Sequence, residues 1–270
     1  MLFSFTDIHG MYGLYKAIMD YCMAQDPDCM IVFCGDACDR GPDGYKIMKE
    51  LLANPHVIYL KGNHEDLFVK AAYELKKYFK LRTHDAARIR EELNRVFTFD
   101  RGYENVRQSI LNGGLSTLTD WVAAGMPRRF VRKIEQLPYV FSYENIDFCH
   151  AAGAYPTFER IMNGTANERD YIDILWNRTG YPYGWAPGRT VIFGHTPVQL
   201  LARELGIRNP TGEPIKYVGT WDEKWSGEKI DMDTGAAFTG IAYVLDVEKM
   251  QAQGFKYNDN QINKIELIQF

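Results

Sequence analysis

Residues 29–41 read CMIVFCGDACDRG, in which an apolar run passes directly into two aspartates and an arginine. The run 30–34 has the length and composition of a buried strand, and Asp36, Asp39 and Arg40 follow where that strand ends. A buried carboxylate is costly unless a cation or hydrogen-bond donors compensate it. The stretch therefore predicts a strand that delivers charged side chains to a functional site.

Two further apolar runs end in polar residues, namely LFSFT before Asp7 and His9, and VIYLK before Asn63 and His64. Helical patterns at 11–24 and 43–53 separate the three strands, which indicates βαβ units with parallel pairing. In open α/β sheets, ligands bind in the crevice beyond the carboxyl ends of the strands. We therefore expect these polar residues to meet at one edge of a sheet.

The rest of the chain predicts a second sheet and a helical insertion. FSYENIDFCHAA predicts a hairpin that ends at His150, and RTVIFGHTP predicts a strand that ends at His195. Helical spacing dominates between Glu65 and Pro138, and we expect a helical insertion at about 66–137. From about Tyr217 the strand-like runs KIDMD, GIAYVLDVE and KIELIQF suggest a second sheet. The whole chain, 1–270, is thus expected to be one α/β domain, a two-sheet sandwich with helices outside.

Eight polar residues are predicted to gather at the strand ends: Asp7, His9, Asp36, Asp39, Asn63, His64, His150 and His195. Carboxylate, imidazole and amide donors together suit divalent manganese, iron or zinc better than calcium. The spacing allows two ions, one held by Asp7 and His9 and the other by Asn63, His150 and His195, with Asp36 bridging them. Such a pair lowers the pKa of bound water and clamps the oxygens of an in-line displacement.

Charge favours a phosphate substrate for this site, because two divalent ions outweigh the ligand carboxylates and a hydroxide. Arg40 matches phosphoryl oxygens with its guanidinium fork, and Arg178 in ILWNRTG is a second candidate. His64 is free to be the general acid for the leaving group, with Asp39 orienting it. Arg40 could instead pair with Asp39 or cap a helix, and Arg178 could stack on Trp176.

Five motifs in order, TDIHG, GDACDRG, GNHE, CHA and FGHTP, resemble the phosphoprotein phosphatase family of calcineurin-like metallophosphoesterases. The branch of the bacteriophage lambda phosphatase and its bacterial relatives shows the greatest likeness. The resemblance implies a four-layer αββα sandwich of two mixed sheets with a dinuclear metal centre, and it implies the residue roles given above. Thr6 and Cys38 depart from the family pattern, where glycine and valine are commoner, but neither removes a ligand.

The resemblance favours a protein phosphatase acting on phosphoserine and phosphothreonine, with small phosphoesters as further substrates. A symmetrical diadenosine tetraphosphatase is the alternative, although that branch typically lacks the aspartate that stands here at Asp39 and has aspartate where Glu65 stands. A silent binding scaffold of the same fold is a third possibility. A substrate panel separates the three.

Composition limits the other partners. The net charge of −4 gives no global attraction to nucleic acid or to an anionic membrane, and no run of 18 apolar residues exists. MLFSFTDIHG lacks the features of a signal peptide, and the five cysteines suit buried free thiols, so we expect a cytoplasmic protein. Oligomeric state is not encoded in any recognisable pattern.

Three sets of residues keep two readings each. Cys34 and Cys38 are either buried thiols or metal ligands. The basic cluster Arg128, Arg129, Arg132 and Lys133 is either a solvated helix face or a docking surface for acidic or phosphorylated partners. Finally, five aromatic residues could line the substrate rim or pack in the core: Tyr181, Tyr183, Trp185, Trp221 and Trp225.

Overall fold

The structure, a computed structural model, describes residues 1–99, 102–219, 224–258 and 261–270. Within these ranges two sheets, of six and five strands, face each other. No helix in the described ranges combines the length and the apolar character needed to cross a bilayer.

The first sheet is built around the strands that the opening motif predicts. Its strands are β1 (Leu2–Phe5), β2 (Met30–Phe33), β3 (Val57–Tyr59), β9 (Ile241–Asp246), β10 (Gln251–Asn258) and β11 (Gln261–Gln269). Strands β1, β2 and β3 pair in parallel, as the helical patterns between them predict. The spatial order is β11-β10-β9-β1-β2-β3.

The second sheet contains the hairpin and the strand that precedes His195. Its strands are β4 (Val140–Tyr143), β5 (Ile146–Cys149), β6 (Thr190–Phe193), β7 (Ile215–Val218) and β8 (Glu228–Asp231). Among the late strands, only β7 and β8 belong here. The expectation that the runs GIAYVLDVE and KIELIQF continue this second sheet is wrong, because β9 pairs antiparallel with β1.

Side-chain alternation in β1 and β2 separates the layers of the fold. Leu2 and Val32 point between the sheets, where they pack with Phe148 and Ile192 of the second sheet. The alternate residues of both strands, such as Phe3, pack under helices on the outer face. The second sheet is likewise covered by helices on its outer face. The result is the αββα sandwich of two mixed sheets.

Eleven helices flank the sheets in the described residues. They are α1 (Tyr12–Gln25), α2 (Gly44–Ala53), α3 (Asn63–Tyr78), α4 (Ala86–Phe99), α5 (Glu104–Leu111), α6 (Leu115–Ala123), α7 (Arg128–Glu135), α8 (Tyr155–Met162), α9 (Glu168–Trp176), α10 (Val198–Leu205) and α11 (Ala236–Thr239). Helices α3 to α7 occupy the stretch expected to be a helical insertion. Helix α3 begins at Asn63 itself, so it carries predicted site residues in its first turn.

Candidate metal centre

Most of the predicted site residues lie in the loops that follow the strands, whereas Asn63 and His64 begin α3, and the backbone of the loop residues is unusual. Nine described non-glycine residues have positive φ, and six of them belong to the predicted site: Asp7, His9, Asp36, Asp39, Arg40 and His195. Such backbone is disfavoured for residues with a Cβ atom and persists only where the surrounding structure enforces it. The loops therefore aim these side chains at the cost of local strain.

Glycines beside the loops make room for two of the carboxylates. A Cβ atom on Gly62 would overlap Asp36 Oδ1, and one on Gly194 would overlap Asp7 Oδ2. The Asp7 carboxylate also accepts hydrogen bonds from Thr6 Oγ1 at 2.5 Å and from the His195 amide at 3.0 Å. Thr6, which departs from the family pattern, thus orients Asp7.

Asp36 lies between two groups of potential ligands. Its Oδ1 is 3.4 Å from His150 Nε2, and its Oδ2 is 3.6 Å from His9 Nε2. Donor atoms of Asp36, His150 and His195 lie within 4.8 Å of one another, and those of His9, Asp36 and His64 do the same. Asp7 Oδ1 is 3.8 Å from His9 Nε2. One carboxylate therefore faces two places where a cation could bind.

The hydrogen bonds made by the histidine rings also fit a metal site. His150 Nδ1 lies 2.9 Å from the Cys34 carbonyl, to which it donates, so neutral His150 presents a lone pair at Nε2. That Nε2 is 2.9 Å from Asn63 Oδ1, which is also an acceptor. The distance fits either a proton on Nε2 or a cation held by both atoms, and His195 Nδ1 meets the same oxygen at 2.9 Å.

His9 is oriented in the same way as His150. Its Nδ1 lies 2.8 Å from the Cys38 carbonyl and donates to it, which leaves Nε2 to face Asp7 and Asp36. A backbone carbonyl that fixes the tautomer of an imidazole is a common second partner of histidine ligands in metal sites. His9 is therefore prepared to bind a cation through Nε2.

The electrostatics of the centre favour a cation. Burial lowers the pKa of His150, but Asp36 and Asp7 oppose it and raise that pKa to about 9. Burial and the nearby Asp36 charge raise the pKa of Asp7, although His150 opposes the shift. The pKa values of His9 and His195 are lowered well below the usual range, chiefly by burial, so both are neutral. The donor set can hold divalent metal.

His64 and Asp39 form a buried pair beside the two ligand groups. His64 Nδ1 lies 2.8 Å from Asp39 Oδ2, and the Asp39 amide is held by Thr117 Oγ1 at 3.0 Å. Burial lowers the pKa of His64, but Asp36 and Asp39 outweigh that effect and raise it above the usual value. The pair therefore favours the protonated form of His64.

The two predicted arginines differ in how directly they reach the centre. Arg40 Nη1 is 2.5 Å from His9 Nε2, and Arg40 Nη2 is 3.1 Å from His64 Nε2. The Arg40 guanidinium also lies 5.4 Å from the ring of Phe238, which is 76% exposed. Arg178 instead donates through Nη1 to the His195 carbonyl at 2.8 Å. Arg40 contacts the side chains of two predicted site residues, whereas Arg178 contacts only the backbone of a third.

Glu65 is a positioning residue whose role the sequence interpretation missed. Its carboxylate accepts hydrogen bonds from three backbone amides, those of Asp36, Ala37 and Gly62, at 2.8 to 2.9 Å. The Tyr59 hydroxyl donates to it at 2.8 Å. Glu65 thus ties the loop after β2 to the start of α3. The motif GNHE contains Glu65, but no role beyond separating two branches of the family was predicted for this residue.

Lys229 on β8 is a second unforeseen residue, and its ammonium group is fully buried. Its three N–H groups are shared among four backbone carbonyls, those of Ala152, Gly153, Gly180 and Tyr183, at 3.0 to 3.3 Å. Burial lowers its pKa to about 8, so the group is still mainly charged at pH 7. The ammonium therefore cross-links the loop after His150 to the loop after Arg178.

Replacing Lys229 by methionine should lower the free energy of unfolding by about 3 kcal/mol, because carbonyls are left without their donor. Urea unfolding measures this. Lys216→Met on the neighbouring strand is the control, since its ion pair with Glu228 is half-exposed and contributes about 0.5 kcal/mol. Equal stability of the two variants would show that the buried ammonium is not a structural cross-link.

The structure bears on the two interpretations given for the cysteines, thiol or metal ligand, and for the aromatic residues, substrate rim or core. All five cysteines are free and buried. Cys34 Sγ contacts Ser4 Oγ at 3.6 Å between the sheets, and neither donor group found among the described residues includes a cysteine. Trp185 is fully buried, and its Nε1 donates to Asp147 at 2.8 Å, so it packs in the core. Trp221 lies outside the described residues.

A search of solved structures gives matches of low sequence identity, and those described here have TM-scores below 0.5. A proposed diadenosine tetraphosphatase is 15% identical, with a TM-score of 0.49, 98% of this chain covered and 92% of the other. A metallophosphoesterase from Sphaerobacter thermophilus is 13% identical, with a TM-score of 0.47, and the match covers 97% of this chain and 86% of the other. A protein serine/threonine phosphatase from Saccharomyces cerevisiae is 13% identical, with a TM-score of 0.43, and the match covers 100% of this chain and 79% of the other.

A search of curated proteins gives no match. The sequence pattern of the calcineurin-like phosphoesterases matches residues 3–199, which is more than half of the chain and contains every predicted site residue. The chain therefore belongs to the calcineurin-like phosphoesterase family, whose members hydrolyse phosphoesters.

Proposed function

We propose that this phosphoesterase is a phosphomonoesterase that dephosphorylates serine and threonine side chains of proteins, with two divalent ions at the strand ends. The observation that carries the proposal is Asp36, whose two oxygens face different imidazoles at 3.4 and 3.6 Å. Asp7 and His9 would hold one ion, and Asn63, His150 and His195 the other, with Asp36 shared. Manganese, iron and zinc all suit these donors.

Bound ions supply Lewis acidity, which draws charge from phosphoryl oxygens and makes water more acidic. Arg40 would bind the phosphoryl group of the substrate. Its guanidinium contacts the lone pair of His9 that a cation also needs, and like charges repel, so cation binding would turn Arg40 outward towards an incoming phosphate. Arg178 is the second proposed phosphate contact.

His64 would protonate the leaving alkoxide. Asp39 holds Nδ1, so Nε2 points to the same side as Arg40, and it would be free to carry the proton once Arg40 turns to the phosphate. The raised pKa of His64 favours that protonated form. A group with a pKa near the working pH is an effective general acid. Water is the proposed nucleophile, without a phosphoenzyme.

A substrate panel tests the proposal. Metal-stripped protein, reconstituted separately with manganese, iron, zinc or nickel, should hydrolyse a phosphoserine peptide with a kcat/KM at least about tenfold above that for diadenosine tetraphosphate. A preference for the dinucleotide would replace the protein phosphatase by a symmetrical tetraphosphatase. Absence of turnover for every phosphoester and every metal would leave only a binding scaffold.

A further inference from the structure

A basic groove lies between α3 and α7, apart from the metal centre. It consists of two adjoining cavities of about 330 and 420 Å³ that share Lys76 and Arg128. Lys77 and Arg132 complete the cationic wall of the first beside the Tyr73 ring, and Arg82 contributes to the second. We call this feature the α3–α7 groove.

The positive side chains that line the α3–α7 groove are not neutralised by acidic side chains in the same lining. No described carboxylate lines either cavity; Glu135 at the edge accepts a hydrogen bond from the Tyr73 hydroxyl at 2.7 Å. Several other surface cations have an acidic partner, as in Lys16 with Asp20 at 2.6 Å. In the groove, burial, Arg128 and Arg82 lower the pKa of Lys76.

The concentration of charge is local, because the chain as a whole has a net charge of −4. Groups of unpaired arginine and lysine side chains in a concave site recognise acidic or phosphorylated segments. The half-exposed ring of Tyr73 adds an apolar surface to the first cavity. Together, the two adjoining cavities are too long to be filled by a single phosphate group. The groove therefore fits an extended peptide that carries both acidic and apolar residues.

Helix α3 connects the groove to the metal centre. The helix starts at Asn63 and reaches the groove at Lys76, a span of about 20 Å at 1.5 Å per residue. An extended peptide covers that span with about six residues. We propose that the α3–α7 groove binds an acidic segment of a phosphoprotein substrate, about six residues from the phosphorylated side chain. The substrate part of this proposal rests on the proposed function.

Charge reversal on one helix tests the proposal. Arg128→Glu/Arg132→Glu changes the groove, whereas Arg129→Glu/Lys133→Glu makes the same charge change on α7 at positions that do not line it. The probe is an unphosphorylated fluorescent decapeptide of alternating glutamate and leucine, with a glutamine version as reference. Fluorescence anisotropy with the metal-loaded full chain gives Kd. Hydrolysis of p-nitrophenyl phosphate checks that every variant is folded and active.

The groove variant should bind the acidic peptide at least about tenfold more weakly, which corresponds to about 1.4 kcal/mol, and the α7 control should stay within about threefold of the parent. Equal binding by the two variants would overturn the proposal. So would a single-stranded RNA decamer that binds more tightly than the peptide and loses its affinity in the groove variant. Peptide binding without hydrolysis of any phosphoester would leave the groove in place and refute the proposed function.

Discussion

Asp36→Asn should lower kcat/KM for p-nitrophenyl phosphate by about 10³-fold and should release bound metal. The asparagine side chain keeps one oxygen but directs an N–H group at one of the two cation positions, and it removes the shared negative charge. Metal ions contribute several kcal/mol of transition-state stabilisation, and about 4 kcal/mol corresponds to 10³-fold in rate. Elemental analysis of desalted protein and steady-state kinetics measure the two effects.

Asp28→Asn is the matched control, because Asp28 is exposed and precedes the same strand that Asp36 follows. This control should keep its metal and its turnover. An Asp36→Asn variant with metal content and kcat/KM within about threefold of the parent would contradict the bridging role.

His64→Ala should keep its metal and lose about 10²- to 10⁴-fold in turnover of a phosphoserine peptide at saturating manganese. The serine alkoxide is a poor leaving group that needs the proton from Nε2. A dinitrophenyl phosphate has a leaving group stable as an anion, so its hydrolysis should suffer much less. The ratio of the two losses measures general acid catalysis specifically.

His56→Ala is the control for this variant, since His56 contacts the Cys29 carbonyl near the opposite end of β2. It should match the parent on both substrates. If His64→Ala lost the same factor on the alkyl and on the dinitrophenyl ester, the role of proton donor would have to be abandoned, and a role in binding would replace it.

The part of the fold that was predicted correctly depends on local patterns. Short apolar runs such as MIVFC end in charged residues, and the helical spacing between them dictates parallel pairing of β1, β2 and β3. Because parallel strands share one carboxyl edge, the approach of Asp7, Asp36 and His64 followed from the order of the elements.

The late strands show where this reasoning ends. The run GIAYVLDVE is apolar and β-prone, but nothing within it states whether it pairs with β8 or with β1. That choice depends on packing between residues more than 200 positions apart in the chain, such as Leu245 opposite Ser4. The periodicity of a strand shows which of its side chains share a face, but it does not show which strands pair with it.

The finer arrangement of the centre also lies beyond local patterns. Positive φ at Asp36 and Arg40 is enforced by surrounding contacts, including the hydrogen bond from the Arg40 amide to the Gly113 carbonyl at 2.9 Å. Glu65 and Lys229 act on backbone groups, and backbone partners leave no trace in residue spacing. Lys229 was therefore visible only in three dimensions, and Glu65 was marked in the sequence only by its place in the motif GNHE.

Anomalous diffraction from crystals grown with manganese tests the central claim most directly. We expect two peaks about 3.5 to 4 Å apart, one beside Asp7 and His9 and the other beside Asn63, His150 and His195, with the Asp36 carboxylate between them. A pocket without any peak after soaking in excess manganese, iron or zinc would contradict a catalytic metal pair.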